Sequence, residues 1–189
     1  MGLPRCLTVA GSDSGGGAGI QADLKTFQAL GCFGMSAITA LTAQNTKGVA
    51  GVHAASPEFV ARQIAMVASD IGVDAAKTGM LFSADIIRAV VRELRRFAIL
   101  PLVVDPVMVA TSGDRLLRED AVAALRDELL PLATVVTPNI AEAEVLAGHA
   151  ITDAASLERA ARAIHGFGAE WVVLKGGDRV VAGASADDE

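Results

Sequence analysis

Aromatic side chains are nearly missing from this sequence: 4% of its 189 residues are aromatic, with one Trp and no Tyr. A core without aromatics is filled by Ala, Val, Leu and Ile, as in helices packed on a parallel sheet. Cysteine is scarce as well. Cys6 and Cys32 are too few for a disulfide framework and no Cys-x-x-Cys spacing occurs, so a reduced, cytoplasmic setting is expected. Positive charge is in deficit, with 16 Lys and Arg against 22 Asp and Glu and a formal net charge of −6. A phosphate-backbone binder needs a basic face, which argues against nucleic acid as a partner. No apolar run approaches the ~18 residues of a membrane span; the longest, Phe97 to Val104, stops at Asp105. The N-terminal apolar run is broken at Ser12 and Asp13, unlike a secretory leader. Neither feature suggests a membrane partner. The three histidines, His53, His149 and His165, follow no nucleophile–base pattern.

What is present is a folded chain's composition, 52% hydrophobic and 20% charged, at a length that suits one domain. Strand and helix patterns alternate. Arg5 to Ala10 reads as a buried strand, followed by a glycine-rich turn and a helix with Ile20, Leu24, Phe27 and Leu30 on one stripe, ended by Gly31. Met35 to Leu41 and Val49 to His53 read as strands. Ser56-Pro57-Glu58 is a helix start, with a capping hydroxyl, Pro at the first helical position and an acid in the first turn. Further strands are expected over Asp74 to Thr78, Leu102 to Asp105, Thr134 to Thr137 and Trp171 to Lys175. Helices are expected from Ser83, near Glu119 to Leu130 after a loop, from Asn139 and from Asp153. Uniformly apolar strands alternating with helices predict a doubly wound, mainly parallel sheet between helices.

In such sheets ligands bind at the carboxyl ends of the strands. Polar and glycine residues concentrate there: Gly11 to Gly19, Thr42 to Asn45, Thr78-Gly79-Met80, Asp105 to Met108, Thr137-Pro138-Asn139, and Lys175-Gly176-Gly177-Asp178. The glycine-rich turn is not a nucleotide P-loop, because Gly17-Ala18 stands where Lys-Ser/Thr is required. Nor is it a dinucleotide fingerprint, because the register of Gly15 and Gly17 meets Ile20. It can offer bare backbone N–H groups to a ligand, or be a tight strand-to-helix turn and nothing more. Asp23, on the apolar side of its helix, is either a helix-dipole partner or a substrate acceptor. Gln44 offers a donor and an acceptor suited to a heterocycle edge, or is a satisfied loop amide. Asp105 suits a metal–phosphate site, or caps a helix. Asn139 and Glu142 have the spacing of a capping box. Lys175 ends an apolar strand and needs a negative partner, for which a nucleotide phosphate is a natural choice.

Together these residues carry a family resemblance. Ala10-Gly11-Ser12-Asp13-Ser14-Gly15-Gly16-Gly17-Ala18-Gly19-Ile20-Gln21-Ala22-Asp23-Leu24-Lys25-Thr26 resembles the opening signature of the hydroxymethylpyrimidine/phosphomethylpyrimidine kinases of thiamine biosynthesis. Thr39 to Thr46, Lys77 to Leu81, Val104 to Met108, Thr137 to Ala143 and Leu174 to Gly177 fit the same family in the same order. The first two blocks are the most specific, and the last three are shared with vitamin B6 kinases. The resemblance implies a ribokinase-like three-layer α/β/α fold with a mainly parallel sheet. It implies ATP- and Mg²⁺-dependent phosphorylation of 4-amino-5-hydroxymethyl-2-methylpyrimidine, then of its monophosphate to the diphosphate, by a cytoplasmic enzyme that can be a homodimer. Carried over by motif, Gly11, Asp23, Gln44, Met80 and Val107 would surround the pyrimidine. Asp105 and Glu142 would face the metal, and Asn139 and Lys175 the ATP phosphates. Family members continue past this C-terminus into a Gly-Thr-Gly-Cys-like motif that holds the transferring phosphate, and nothing resembling it occurs here. The resemblance therefore implies a single kinase domain over 1–189 that is incomplete at its C-terminus, with no catalytic base assigned. Pyridoxine/pyridoxal kinase, or a non-catalytic binding fragment, are the other readings.

Overall fold

The structure is a computed structural model and describes residues 2–108 and 119–176. The loop expected before Glu119, and Gly177 and Asp178, lie outside the described residues. In chain order the elements are β1 (Arg5–Asp13), α1 (Gly19–Ala29), β2 (Phe33–Asn45), β3 (Gly48–Ala54), α2 (Pro57–Asp70), β4 (Ala75–Thr78), α3 (Ala84–Arg96), β5 (Leu102–Val104), α4 (Glu119–Ala124), β6 (Val135–Val136), α5 (Ile140–Ala147), α6 (Ala154–His165) and β7 (Trp171–Val172). The strands form one sheet in the order β3-β2-β1-β4-β5-β6-β7. All neighbours are parallel except β2 and β3. No helix among the described residues is long and apolar enough to cross a membrane.

The helix starts are chemical. Ser56 and Ser83 accept hydrogen bonds from Phe59 N and Ile86 N, and Pro57 opens α2. Asn139 and Asp153 cap α5 and α6 in reciprocal capping boxes with Glu142 and Ser156. Side-chain alternation along β1 divides the molecule. Leu7 and Val9 are fully buried in the main core with Val60, Ile64, Ile87, Val90, Leu102 and Val104. Thr8 points to the opposite face and bonds Asp23 of α1. The chain moves one way across the sheet through α1 and the other way from α2 onward, so right-handed crossovers put α1 on the face opposite the remaining helices.

Several boundaries differ from the sequence pattern, each for a local reason. β1 runs on to Asp13 and β2 to Asn45, because the polar ends keep pairing past a register shift between Ala10 and Ser12. β3 lies antiparallel on β2 as the sheet's edge, reached by a turn too short for a parallel crossover. The helix expected over Glu119 to Leu130 divides into α4, a π-helical turn Leu125–Leu129 and a 3₁₀ turn Leu130–Leu132; Pro131 has no N–H with which to continue it. β7 stops at Val172, and beyond it the backbone of Lys175 forms an isolated bridge with Asn139. Leu30 follows α1 and is 75% exposed, so it does not share the helix's buried stripe. Cys6 and Cys32 are half-buried neighbours, and burial together with the Cys32 thiol pushes the Cys6 thiol up.

At the amino end of the sheet Arg5 straps β1 to the start of β4. Its N and Nε donate to Asp74 Oδ2 at 2.8 and 2.9 Å, and its Nη2 pairs with Asp74 Oδ1. The guanidinium holds the Asp74 carboxyl down at about 2, from 3.8. A depressed carboxylate contributes stability above its unfolded value, and that contribution disappears as pH falls through the folded one. Wild type should therefore lose more stability than Asp74→Asn between pH 4 and pH 2. Urea midpoints at these pH values check this, and parallel acid limbs would contradict it.

Candidate active site

β1 has β2 on one side and β4 on the other, so the strand order reverses at its carboxyl end and opens a crevice there. A cavity of about 310 Å³ occupies it. Gly11, Asp23, Gln44, Met80 and Val107 all line this cavity, together with Asp105 and Lys77. Six of these seven are candidate site residues from the sequence, and Lys77 is the addition that the structure makes.

The glycine-rich turn is already filled by its own anion. The Asp13 carboxylate, 6% exposed, accepts from Gly15 N at 2.7 Å, Gly17 N at 3.0 Å and Ala18 N at 2.9 Å. Gly16 N bonds the Asp13 carbonyl, and Gln21 bridges the Asp13 amide and the Ser12 hydroxyl. The amides of Gly15, Gly16, Gly17 and Ala18 are thus taken, which favours the tight strand-to-helix turn over bare N–H groups at these four residues. Asp13 could have been noticed as an acid among glycines, since Asp bonds backbone amides a few residues ahead. Two close approaches set the turn's shape. A β-carbon on Gly11 would sit 2.4 Å from Met80 Cε, and one on Gly19, at φ +55°, would sit 2.4 Å from the Gly11 carbonyl oxygen.

Across the cavity mouth Ser14 Oγ donates to the Gln44 carbonyl at 2.7 Å and accepts from the Gln44 amide N–H at 2.8 Å. Thr42 Oγ1 bonds the Ser12 carbonyl at 2.9 Å and lies 3.1 Å from Gln44 Oε1. These bonds fix the backbone of Gln44, a residue that lines the cavity.

Four charges of alternating sign run along the sheet from α1. Asp23 accepts from Thr8 Oγ1 at 2.6 Å and from Lys77 Nζ at 3.0 and 3.1 Å. The same ammonium lies 3.9 Å from Asp105 Oδ2, and Lys175 Nζ donates to Asp105 Oδ1 at 2.9 Å. Asp23 is therefore an ion-pair partner of Lys77, not a helix-dipole partner, and Asp105 supplies the negative partner that the sequence sought for Lys175. Glu142 is 5% exposed. Its Oε2 accepts from Asn139 N, and Asn139 Oδ1 accepts from Glu142 N, both at 2.9 Å. Burial pushes the Glu142 carboxyl up, and Asp105 nearby adds to this. Asn139, Glu142 and Lys175 lie beside the cavity and not on its wall; the bridge between Asn139 and Lys175 and the Lys175–Asp105 bond tie them to it.

No group of three or more His, Cys, Asp or Glu that could cage a metal occurs among the described residues. Mg²⁺ does not need one, since it is held by one or two carboxylates with water and substrate phosphates. Asp105 and Glu142, close enough for one charge to shift the other, fit that donor set.

The model of the phosphomethylpyrimidine kinase family matches residues 13–188. The hydroxymethylpyrimidine/phosphomethylpyrimidine kinase of Rhizobium meliloti is 60% identical over 172 residues, covering 90% of this chain and 64% of that protein. The crystal structure of the phosphomethylpyrimidine kinase of Clostridium difficile superposes with a TM-score of 0.86 at 47% identity, covering 93% of this chain and 76% of that one. The Staphylococcus aureus pyridoxal kinase in complex with AMP-PCP and pyridoxal superposes with a TM-score of 0.83 at 39% identity, covering 94% of this chain and 64% of that one. The chain spans 37 to 65% of the length of the first curated relatives it matches. Its ribokinase-like sheet, the order of its motifs and a match over nearly its whole length place the chain in the phosphomethylpyrimidine kinase family.

Proposed function

We propose that this chain is the pyrimidine- and phosphate-binding body of an ATP-dependent kinase that phosphorylates 4-amino-5-hydroxymethyl-2-methylpyrimidine, and then the monophosphate, in thiamine biosynthesis. The observation that carries this is the cavity at the strand-order reversal. It has an amide wall at Gln44, a Met80 floor against Gly11, and a charge row leading out through Asp105 to Lys175. A flat heterocycle needs the first two features, and a triphosphate needs the last.

Phosphoryl transfer is mostly positioning and charge neutralisation. Gln44 would read the ring edge, with Asp23 beside its polar substituents and Met80 and Val107 against its faces. Asp105 and Glu142 would hold Mg²⁺, which when bound neutralises charge on the phosphates. Asn139 and Lys175 would take the nucleotide phosphates, Lys175 turning from Asp105 toward them. The cytoplasm is the expected setting, and a homodimer is an assembly that the resemblance allows.

Pyridoxal kinase is the second reading, because a structural neighbour with bound pyridoxal has the same fold. The higher identity to the pyrimidine kinases favours the first. Calorimetry with hydroxymethylpyrimidine and pyridoxal decides between them, followed by mass spectrometry of each after incubation with Mg²⁺ and ATP. Tighter binding of the pyrimidine is expected, and any phosphoryl transfer should appear as successive gains of about 80 Da on it alone. Pyridoxal binding and phosphorylation with an untouched pyrimidine would overturn the proposal.

A further inference from the structure

Lys77 is the only cation lining the cavity among the described residues. Its place follows from register. Lys77 pairs with Thr8 on one side and Val103 on the other, so it stands on the α1 face of the sheet. Its ammonium reaches both Asp23 oxygens, at 3.0 and 3.1 Å, and lies 3.9 Å from Asp105 Oδ2. The residue two positions on is Gly79, where a β-carbon would sit 3.3 Å from Lys77 Nζ and 3.0 Å from the Ala10 β-carbon. The sheet surface is hollowed at the point where the lysine lies forward.

Asp23 comes from α1 and Asp105 from the end of β5, so no local structure holds them together. Both are largely buried, at 16% and 22% side-chain exposure. Facing one cavity without a cation, two such carboxylates would repel each other across a medium that screens poorly. Lys175 neutralises Asp105 from the far side only, and the Asp13 carboxylate on the near side is committed to its turn. Glu142 adds further negative charge near Asp105.

We propose that Lys77 is a positioning residue shared by both ends of the site, setting the spacing of Asp23, on the heterocycle side, from Asp105, on the phosphate side. The assignment of the two sides rests on the function proposed above; the spacing role rests on the ion pairs alone.

Two measurements test it separately. In the first, urea unfolding of Lys77→Met, Asp23→Asn, Asp105→Asn and the two double variants gives coupling without any ligand. For both pairs the unfolding constant of the double variant should depart from the product of the single effects by at least about threefold. In the second, calorimetry gives the affinity for hydroxymethylpyrimidine and for Mg²⁺·ATP. Lys77→Met should weaken both by about tenfold or more, as loss of an orienting partner does, and Lys77→Arg should recover part of each. Gly79→Ala, which crowds the ammonium without removing its charge, should weaken both in a chain whose circular dichroism is unchanged. Additive behaviour in either cycle, or loss of one ligand only, overturns the proposal. If both cycles couple while wild type binds no pyrimidine, the spacing role stands and the function reading fails.

Discussion

Gly19→Ala should destabilise the fold by roughly 3 kcal/mol, while Gly17→Ala, two residues away, should change it by less than about 1 kcal/mol. At Gly19 two penalties coincide. A φ of +55° is unfavourable for any residue with a β-carbon, at about 1–2 kcal/mol. The new methyl would also lie 2.4 Å from the Gly11 carbonyl oxygen, a backbone atom that cannot move without pulling on β1; overpacking of this kind costs about 1–3 kcal/mol. At Gly17 nothing lies within 4 Å of an added β-carbon and no positive φ is needed. Urea unfolding of the two variants beside wild type checks the contrast. Equal losses would mean that the turn is held by its hydrogen bonds and not by its close approach.

The second large effect is expected at Asp105. Asp105→Asn should abolish the dependence of nucleotide affinity on Mg²⁺ and reduce transfer to the pyrimidine by at least about 100-fold, the scale of a lost charge-stabilising group. Its effect on folding should stay within about 1 kcal/mol, because Lys175 is 45% exposed, ion pairs at exposed sites contribute about 0–1 kcal/mol, and the coupling to Lys77 is of similar size. Metal-free ATP should bind the variant better than wild type, since a repelling carboxylate is gone and Lys175 loses its carboxylate partner. Titrations of ATP with and without Mg²⁺ separate these outcomes. An unchanged Mg²⁺ dependence would remove Asp105 from the metal site.

The parts of this architecture legible in the sequence are those written in short spacings. Apolar strands marked the sheet, and Ser56, Ser83, Asn139 and Asp153 marked helix starts because a cap and its target lie three residues apart. The stretches that hold Gly11, Gln44, Met80 and Val107 stand out because each follows an apolar strand pattern, and strand ends converge; the choice of these residues within them rests on the family resemblance. What could not be read is the pairing of charges. Lys77 and Asp23 are 54 positions apart, and Lys175 and Asp105 are 70 apart; only the strand order brings them together. Lys175 was known to need an anion, but a phosphate and Asp105 satisfy that need equally well from the sequence. The β3 direction was equally hidden, since a single alternating strand pattern does not distinguish an antiparallel edge from another parallel member.

The Asp13 carboxylate has a consequence for ligand entry. Glycine-rich turns lose the most backbone freedom when they are ordered, and a turn that waited for its ligand would take that entropy out of the ligand's affinity. Here three amides close on an internal anion as the chain folds, so the loss is charged to folding. A ligand entering the cavity would meet a rim already set in shape.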